Sequence, residues 1–411
     1  MFEQVISCAL SPNTEPDDVW LAVRTLCLPW KWKRGEAIGW VEEWFRNNFP
    51  GSDAVAFNSG RSALLGLLKA FGIGVGDEVL LQAFTCVAVP NSVRWAGATP
   101  IYADIDATLN IDPADVERKI TNRTKAIIVQ HTFGIPADMD ALVATAQKHK
   151  LLLIEDCAHS LGATYNGRKV GTFGDAAFFS FGRDKVISSV FGGMAIINAK
   201  CQMPNAKLKQ FQETLPMPNF FWIFQQLMHP IAFSVILMSY NLWVGKLLLY
   251  VLQRLHLLSF PVYPEEKRGL RPSGFPAKLP NALAVLLLQQ LTKLVRYNQN
   301  RRTVARQYQS LVKSKNGIRS VLWQDGAIFL RYPLLVSNPK NVIVEAKRQG
   351  ILLGNWYSHV IDPAGVAYEA VGYRKGTCPN AERASGAIIN LPTRIGPKQV
   401  SRVLKCLQMI Q

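Results

Sequence analysis

The chain has 411 residues, 49% of them hydrophobic and 18% charged, a balance that fits a globular protein and excludes a disordered one. Its formal charge of +17 narrows the partners to nucleic acid or an anionic membrane unless the charge is spread evenly. Seven cysteines without C-x-x-C spacing and six scattered histidines without an H-x-x-x-H pair argue for reduced thiols, against a disulfide framework and against a metal site.

This length calls for two or more subdomains. The start carries Glu3 and lacks a basic, apolar, small-residue succession, so no signal peptide is expected. Apolar residues at helical spacing in "DDVWLAVRTL" and "IGWVEEWFRNNF" make residues 1–50 an N-terminal helical segment. From residue 54 strands and helices alternate. Strand "AVAF" leads through Asn58-Ser59-Gly60 into the helix "RSALLGLLKAF", and "EVLLQAF" (78–84) and "TPIYADID" (99–106) follow as strands, with a helical stretch near "NSVRWAG" between them. After "IDPADVERKI" come strand "AIIVQHTF" (126–133), helix "ADMDALVATAQKHK", strand "LLLIED" (151–156) and the short strand "AAFFS" ending at Ser180. Such alternation predicts an α/β fold with a mostly parallel sheet covered by helices on both faces. "GIGVGDE" (72–78) lies between a helix and a strand, the wrong order for a dinucleotide fingerprint, and is read as a turn. No G-x-x-x-x-G-K-[ST] occurs, so a nucleotide triphosphatase is not supported.

The charge is not spread evenly. Between Lys200 and Arg306 there are 14 Lys and Arg against Glu213, Glu265 and Glu266, which leaves +11 in about a quarter of the chain. Inside that region residues 219–260 are aromatic and apolar, with Lys246 and Arg254 as the only full charges. Basic flanks around such a stretch favour a membrane surface over nucleic acid, and no nucleic-acid-reading motif is present. Three forms stay open for this stretch: a helical pair buried in the body or a dimer interface, a transmembrane span, and a shallow hairpin on the cytoplasmic leaflet. Gln225, Gln226, His229 and Pro230 interrupt a span, and the chain must return to the same side to complete the fold.

Ligands of open parallel sheets sit beyond the carboxyl ends of the strands. Ser59-Gly60-Arg61-Ser62 joins a strand to a helix N-terminus, where free amides favour a phosphate. Asp156 ends one strand, Ser180 ends another, and Lys185 follows a turn later. Singly, each has an ordinary explanation: a solvated turn lysine, a helix-capping aspartate, a weak S-G-R signal. Together they are the parts that hold pyridoxal phosphate, the lysine forming a Schiff base and the aspartate keeping the pyridine nitrogen protonated.

The same residues resemble the DegT/DnrJ/StrS family of pyridoxal-phosphate-dependent sugar aminotransferases, whose architecture is that of fold-type-I aspartate aminotransferase. "SGRSAL" resembles the family's S-G-T-x-A-L phosphate loop, and "GDEVLLQAFTCVAVPNSV" resembles its G-D-E-V-I-x-P-x-x-T-x-x-A-T-x-N-A-V. "HTFGIPADMDAL" and "EDCAHSLGATYNGRKVGTFGDAAFFSF" are similar to further signatures, and "SFGRDK" is similar to S-F-x-x-x-K. Weaker likeness runs through residues 278–291 and 378–392, so it covers most of the chain outside 1–50 and 213–262. The resemblance implies that Lys185 is the Schiff-base lysine and that Asp156 pairs with the pyridine nitrogen. It also implies that Ser59, Ser180 and the Gly60-Arg61 amides hold the phosphate, and that His159 lies near the phenolic oxygen. Retaining Lys185 argues against the family's dehydratase branch, which has histidine there.

Several positions depart from the family. Arg61 replaces a threonine and is positioned for an added phosphate contact. Cys86 stands where an aromatic ring stacks on the cofactor, and His159 stands where glutamine is usual. "VFGG" (190–193) replaces a G-E-G-G-like turn, while Pro276 and Lys278 replace an asparagine and an arginine that reach toward a neighbouring subunit's site. The expected organisation is a helical segment (1–50), a large cofactor domain (51–212), an apolar helical insert (213–262), and a connecting helix with a small C-terminal α/β domain (263–411). The expected function is amino transfer, from glutamate, to a nucleotide-linked keto-sugar for surface polysaccharide, by a cytoplasmic homodimer. A pyridoxal-phosphate reaction on a lipid-linked or membrane-resident substrate, or a non-catalytic regulatory relative, remains the alternative.

Overall fold

The computed structural model describes residues 5–199, 201, 204–240, 243–312 and 318–409. Strands β1 (Ser52–Phe57), β2 (Glu78–Gln82), β3 (Thr99–Ala103), β4 (Thr124–Gln130), β5 (Leu152–Asp156), β6 (Ala176–Ser180) and β7 (Gly193–Asn198) form one seven-stranded sheet. Their order is β1-β7-β6-β5-β4-β2-β3, and only β7 runs antiparallel to its neighbours. Its strands are apolar on both faces because helices cover both. Successive residues feed opposite cores: Val55, Phe57 and Phe178 pack on one side, Ala54, Ala56 and Phe179 on the other.

Helices α1 (Pro16–Leu26) and α2 (Ala37–Asn48) form where the apolar spacing predicts them. Pro16 opens α1 with Asp17 and Asp18 in its first turn, which suits the positive end of a helix. The N-terminal segment is tied at both ends of the molecule. Ile6–Ser7 pairs in parallel with Ile351–Leu352 of the C-terminal part, while Val41 and Phe45 of α2 join the core beneath the sheet. Helix α3 (Gly60–Ala70) follows β1 directly.

Among the described residues of 213–262 lie the helices α4 (Phe220–Ser239) and α5 (Val244–Arg254). By length and composition α4 can cross a bilayer, but half of its most apolar window is buried within the protein. Gln225, Gln226, His229 and Pro230, which interrupt the apolar pattern, are all on the buried side. A span would place those polar groups in hydrocarbon; here Gln226 accepts from Ser259 Oγ (2.7 Å) and His229 Nε2 meets Ser11 Oγ (2.7 Å). The 32-residue helix α6 (Asn281–Val312) then leads to an antiparallel sheet of β8 (Ile318–Ser320), β9 (Arg331–Val336) and β10 (Ile388–Pro392), with β9 central.

Candidate active site

The carboxyl ends of β1, β5 and β6 open into a cavity of about 530 Å³. Ser59, Gly60, Arg61, Cys86, Asp156, His159, Ser180 and Lys185 all line it, so every residue assigned to the site from the sequence is brought to one place.

Ser59 caps α3, its Oγ accepting from the Ser62 amide at 3.2 Å, and Ser62 Oγ in turn donates to Asn58 (2.7 Å). The turn is packed too closely for side chains. A Cβ on Gly60 would sit 2.8 Å from Ser180 Cβ, and one on Gly193 would sit 2.3 Å from the Ser59 carbonyl. Gly193 is therefore glycine because β7 passes directly behind the Ser59-Gly60 turn, and the α3 amides and Ser180 converge as a phosphate cradle. Three residues before Gly193, Val190 takes a positive φ of 70°, strained backbone for a β-branched side chain, where the family's turn has glycine.

Arg61 does not extend into the cradle. Its guanidinium pairs with buried Glu266, donates to the Pro261 carbonyl (2.6 Å) and lies 4.7 Å from the Phe275 ring centroid. The added phosphate contact expected from this arginine is thus replaced by an anchor that ties α3 to residues 261–275.

Asp156 ends β5 almost fully buried, with Oδ1 accepting from the Ala158 amide at 3.0 Å. Burial pushes its carboxyl up to about 6, against the Ala158 amide, Lys185 and His131, which pull the other way. No ion pair to Asp156 forms among the described residues. A buried carboxylate that faces the cavity with no ion-pair partner among the described residues suits a protonated pyridine nitrogen. The donor set and the cradle thus fit pyridoxal phosphate.

Lys185 Nζ lies 2.9 Å from His159 Nε2. His159 Nδ1 accepts from the Phe133 amide (3.3 Å), which leaves the single proton of the neutral ring on Nε2. Burial, then Lys185 and Arg331, hold His159 well below the ordinary histidine range, so it is neutral. The Lys185 amine and the His159 ring are thus joined by one short polar contact at the cavity wall. Its backbone is fixed from two sides: Asn13 donates to the Lys185 carbonyl (2.6 Å), and buried Arg301 holds both Asn13 Oδ1 (2.8 Å) and the Val186 carbonyl (2.7 Å).

Cys86 supplies no ring. It is half-buried, and burial pushes its thiol up to about 11. His159, the ring in contact with the amine, instead stacks with Phe133 and Tyr357, with centroids 5.7 to 6.2 Å apart. Sequence reasoning missed Tyr357, His229 and the pair Arg331–Asp184. Arg331 is 2% exposed, pairs with Asp184 and lies 3.6 Å from the Trp356 ring centroid. Burial alone would raise Asp184; Arg331 and Lys185 hold it below the usual range. A lone arginine within the apolar strand "FLRYPLLV" was the available signal, since a buried charge needs a partner.

A mostly parallel seven-stranded sheet with one reversed strand, a small antiparallel domain and a lysine–aspartate–phosphate-cradle cavity define the fold-type-I aspartate aminotransferase class. Residues 20–212 and 253–408 match the DegT/DnrJ/EryC1/StrS aminotransferase family, and the chain belongs to it. The match breaks at 213–252, within the apolar insert. The chain is 48% identical over 146 residues to GDP-perosamine synthase of Caulobacter vibrioides, which covers 35% of this chain and 39% of that protein. It is 30% identical over 344 residues to a pleiotropic regulatory protein of Geobacillus stearothermophilus, covering 82% and 79% of the two chains. The fold is shared with the PMP form of a putative sugar aminotransferase, Spr1654, from Streptococcus pneumoniae. That structure has a TM-score of 0.76 at 20% identity and covers 100% of this chain and 99% of the other. Several curated relatives are matched over less than half of their own length.

Proposed function

We propose that this chain is a pyridoxal-phosphate-dependent aminotransferase that moves an amino group from glutamate to a keto-sugar in surface polysaccharide biosynthesis, working in the cytoplasm as a homodimer. The observation that carries this is one cavity holding the Lys185 amine against neutral His159, the buried Asp156 carboxylate and the Ser59-Gly60 helix terminus. GDP-perosamine synthase among the relatives supports a keto-sugar acceptor.

Bound pyridoxal phosphate supplies an aldehyde carbon and a ring that accepts electrons from the substrate. The Gly60 and Arg61 amides and Ser180 bind its phosphate, aided by the positive end of the α3 dipole. Asp156 keeps a proton on the ring nitrogen. Lys185 would anchor the cofactor through its amine and would carry the proton to and from the reacting carbon of the substrate. His159, through its Nε2–H, orients that amine, and Asp184 fixes the Arg331 guanidinium at the wall of the same cavity, where its remaining N–H groups suit a carboxylate of the donor. Incubation with glutamate and a panel of keto-sugars on nucleotide and lipid diphosphates should yield an amino-sugar detectable by mass spectrometry, together with 2-oxoglutarate. A purified protein that binds no cofactor and aminates no keto-sugar would overturn this reading.

Two further features concern assembly. Lys278 is half-buried and does not line its own chain's cavity, which supports the expected role at the partner subunit's site. The insert supports peripheral contact with the inner face of an anionic membrane. The outward stripe of α4 is Phe221, Phe224, Met228, Ile231, Val235 and Met238, and α5 exposes Val244, Leu247, Tyr250 and Val251. Trp30, Phe220 and Phe221 are exposed beside Lys31 and Arg34, and Lys33 Nζ lies 4.4 Å from the Phe220 ring centroid. Each base beside this apolar face gains on the order of 1 kcal/mol near anionic lipid.

Sedimentation tests both. The protein alone should run as a dimer, and with anionic vesicles it should pellet, less at high salt but not to zero, because only the charge contribution is screened. An active monomer defeats the first; indifference to vesicles at low salt defeats the second.

A further inference from the structure

We infer that the keto-sugar acceptor is carried on a lipid through a diphosphate, with its hydrocarbon lying along a cavity wall that the insert builds. This rests on the aminotransferase reading above and adds the class of carrier. Leu10, Phe233 and Leu249 line the same cavity as Lys185 and Asp156, and all three lie outside the residues that match the family. They belong to a separate apolar cluster in which α4, α5 and the N-terminal segment meet around Ile236 and Leu258. The wall is one helix thick. Leu249 and Gln253 of α5 face the cavity, while Leu247, Tyr250 and Val251 of the same helix are exposed on the apolar outer surface.

The polar groups on this side suit a diphosphate and a sugar. Arg183 and Lys267 line the cavity, and buried Nε of Arg183 has no hydrogen-bond partner among the described residues. His229 is 2% exposed, lines the cavity, and has a buried Nδ1 likewise without a partner among them. Oxygens of a bound diphosphate and sugar would give Arg183 Nε and His229 Nδ1 the partners they lack. A nucleotide carrier shares the diphosphate chemistry, but it would bring a ribose and a base whose polar edges find no partner on Leu10, Phe233 and Leu249.

Calorimetric titration of the full-length protein with farnesyl diphosphate, UDP and inorganic diphosphate separates the two carriers. Farnesyl diphosphate is expected to bind at least about tenfold more tightly than either of the others. Leu249→Asn and Phe233→Ser should each remove that gain while leaving inorganic diphosphate binding and the bound cofactor's absorbance in place. Should either variant lose the cofactor, Leu249→Val and the wild-type comparison of the three probes decide. The surface pair Leu247→Ser and Tyr250→Ser should weaken vesicle binding and leave the affinity for farnesyl diphosphate unchanged. UDP binding as tight as farnesyl diphosphate, or a gain that survives both wall variants, overturns the inference. Amination of nucleotide-linked keto-sugars by the same preparation would then leave the aminotransferase reading standing alone.

Discussion

Lys185→Ala is expected to abolish amino transfer and to release the cofactor during dialysis. Two functions are lost at once: the covalent anchor and the group that moves the proton. Other lysines do not substitute, because the cavity lining contains one other, Lys267, whose Nζ donates to the Ala364 carbonyl at 2.8 Å. The decisive readout is independent of turnover. Borohydride reduction followed by intact mass should attach the cofactor to the wild type and leave the variant at its unmodified mass. A reduced adduct on the variant would assign the attachment to a different lysine, and Lys185 would then be no more than a cavity residue. The surroundings of Lys185 should survive the change, since Asn13 and Arg301 hold the backbone there through carbonyls that alanine retains.

Asp156→Asn should retain the cofactor yet lose at least about a hundredfold in activity. Breaking a buried charge pair costs roughly 3 to 5 kcal/mol, and each 1.4 kcal/mol is about a factor of ten in rate. Wild-type rates in this variant would remove Asp156 from the site. A second consequence appears in the cofactor-free protein. The Asp156 carboxyl rises from 3.8 to about 6 on folding because burial disfavours the charge. The folded state therefore holds the proton more tightly than the unfolded chain. Its contribution is fully present below about pH 4 and is lost as pH climbs through about 6, for a total on the order of 3 kcal/mol. Asp362, also raised to about 6 by burial, adds a loss in the same window. Thermal melts of cofactor-free wild type should fall across that window, and those of Asp156→Asn should fall less. Parallel curves for the two proteins would show that Asp156 titrates normally.

Much of this was legible in the chain itself because the signals are local. A strand buried on both faces reads as an apolar run, and so β1, β2, β4 and β5 were visible within a few residues of their ends. Ser59 before an apolar helix announces a capped N-terminus, since the free amides of the first turn need an acceptor. Lys185 and Asp156 stand out for the opposite reason, as ionisable groups at or just beyond the ends of strands that are otherwise mostly apolar.

Other features depend on side chains that meet across long stretches of sequence, and only the tertiary structure decided them. Arg61 looked free for a phosphate until Glu266, some 200 residues on, was found against it. Gly193 is dictated by the Ser59 carbonyl behind it, a contact that no local pattern encodes. The insert shows the division most plainly. Its composition determined that it must bury apolar surface or meet a membrane. Which face does which was settled by packing: Gln225, Gln226 and His229 turn inward to find Ser11, Ser259 and the His256 carbonyl, leaving an apolar stripe outside. A polar group follows its hydrogen-bond partner, and those partners lie on α1's leading segment and beyond α5, in place only once the chain has folded.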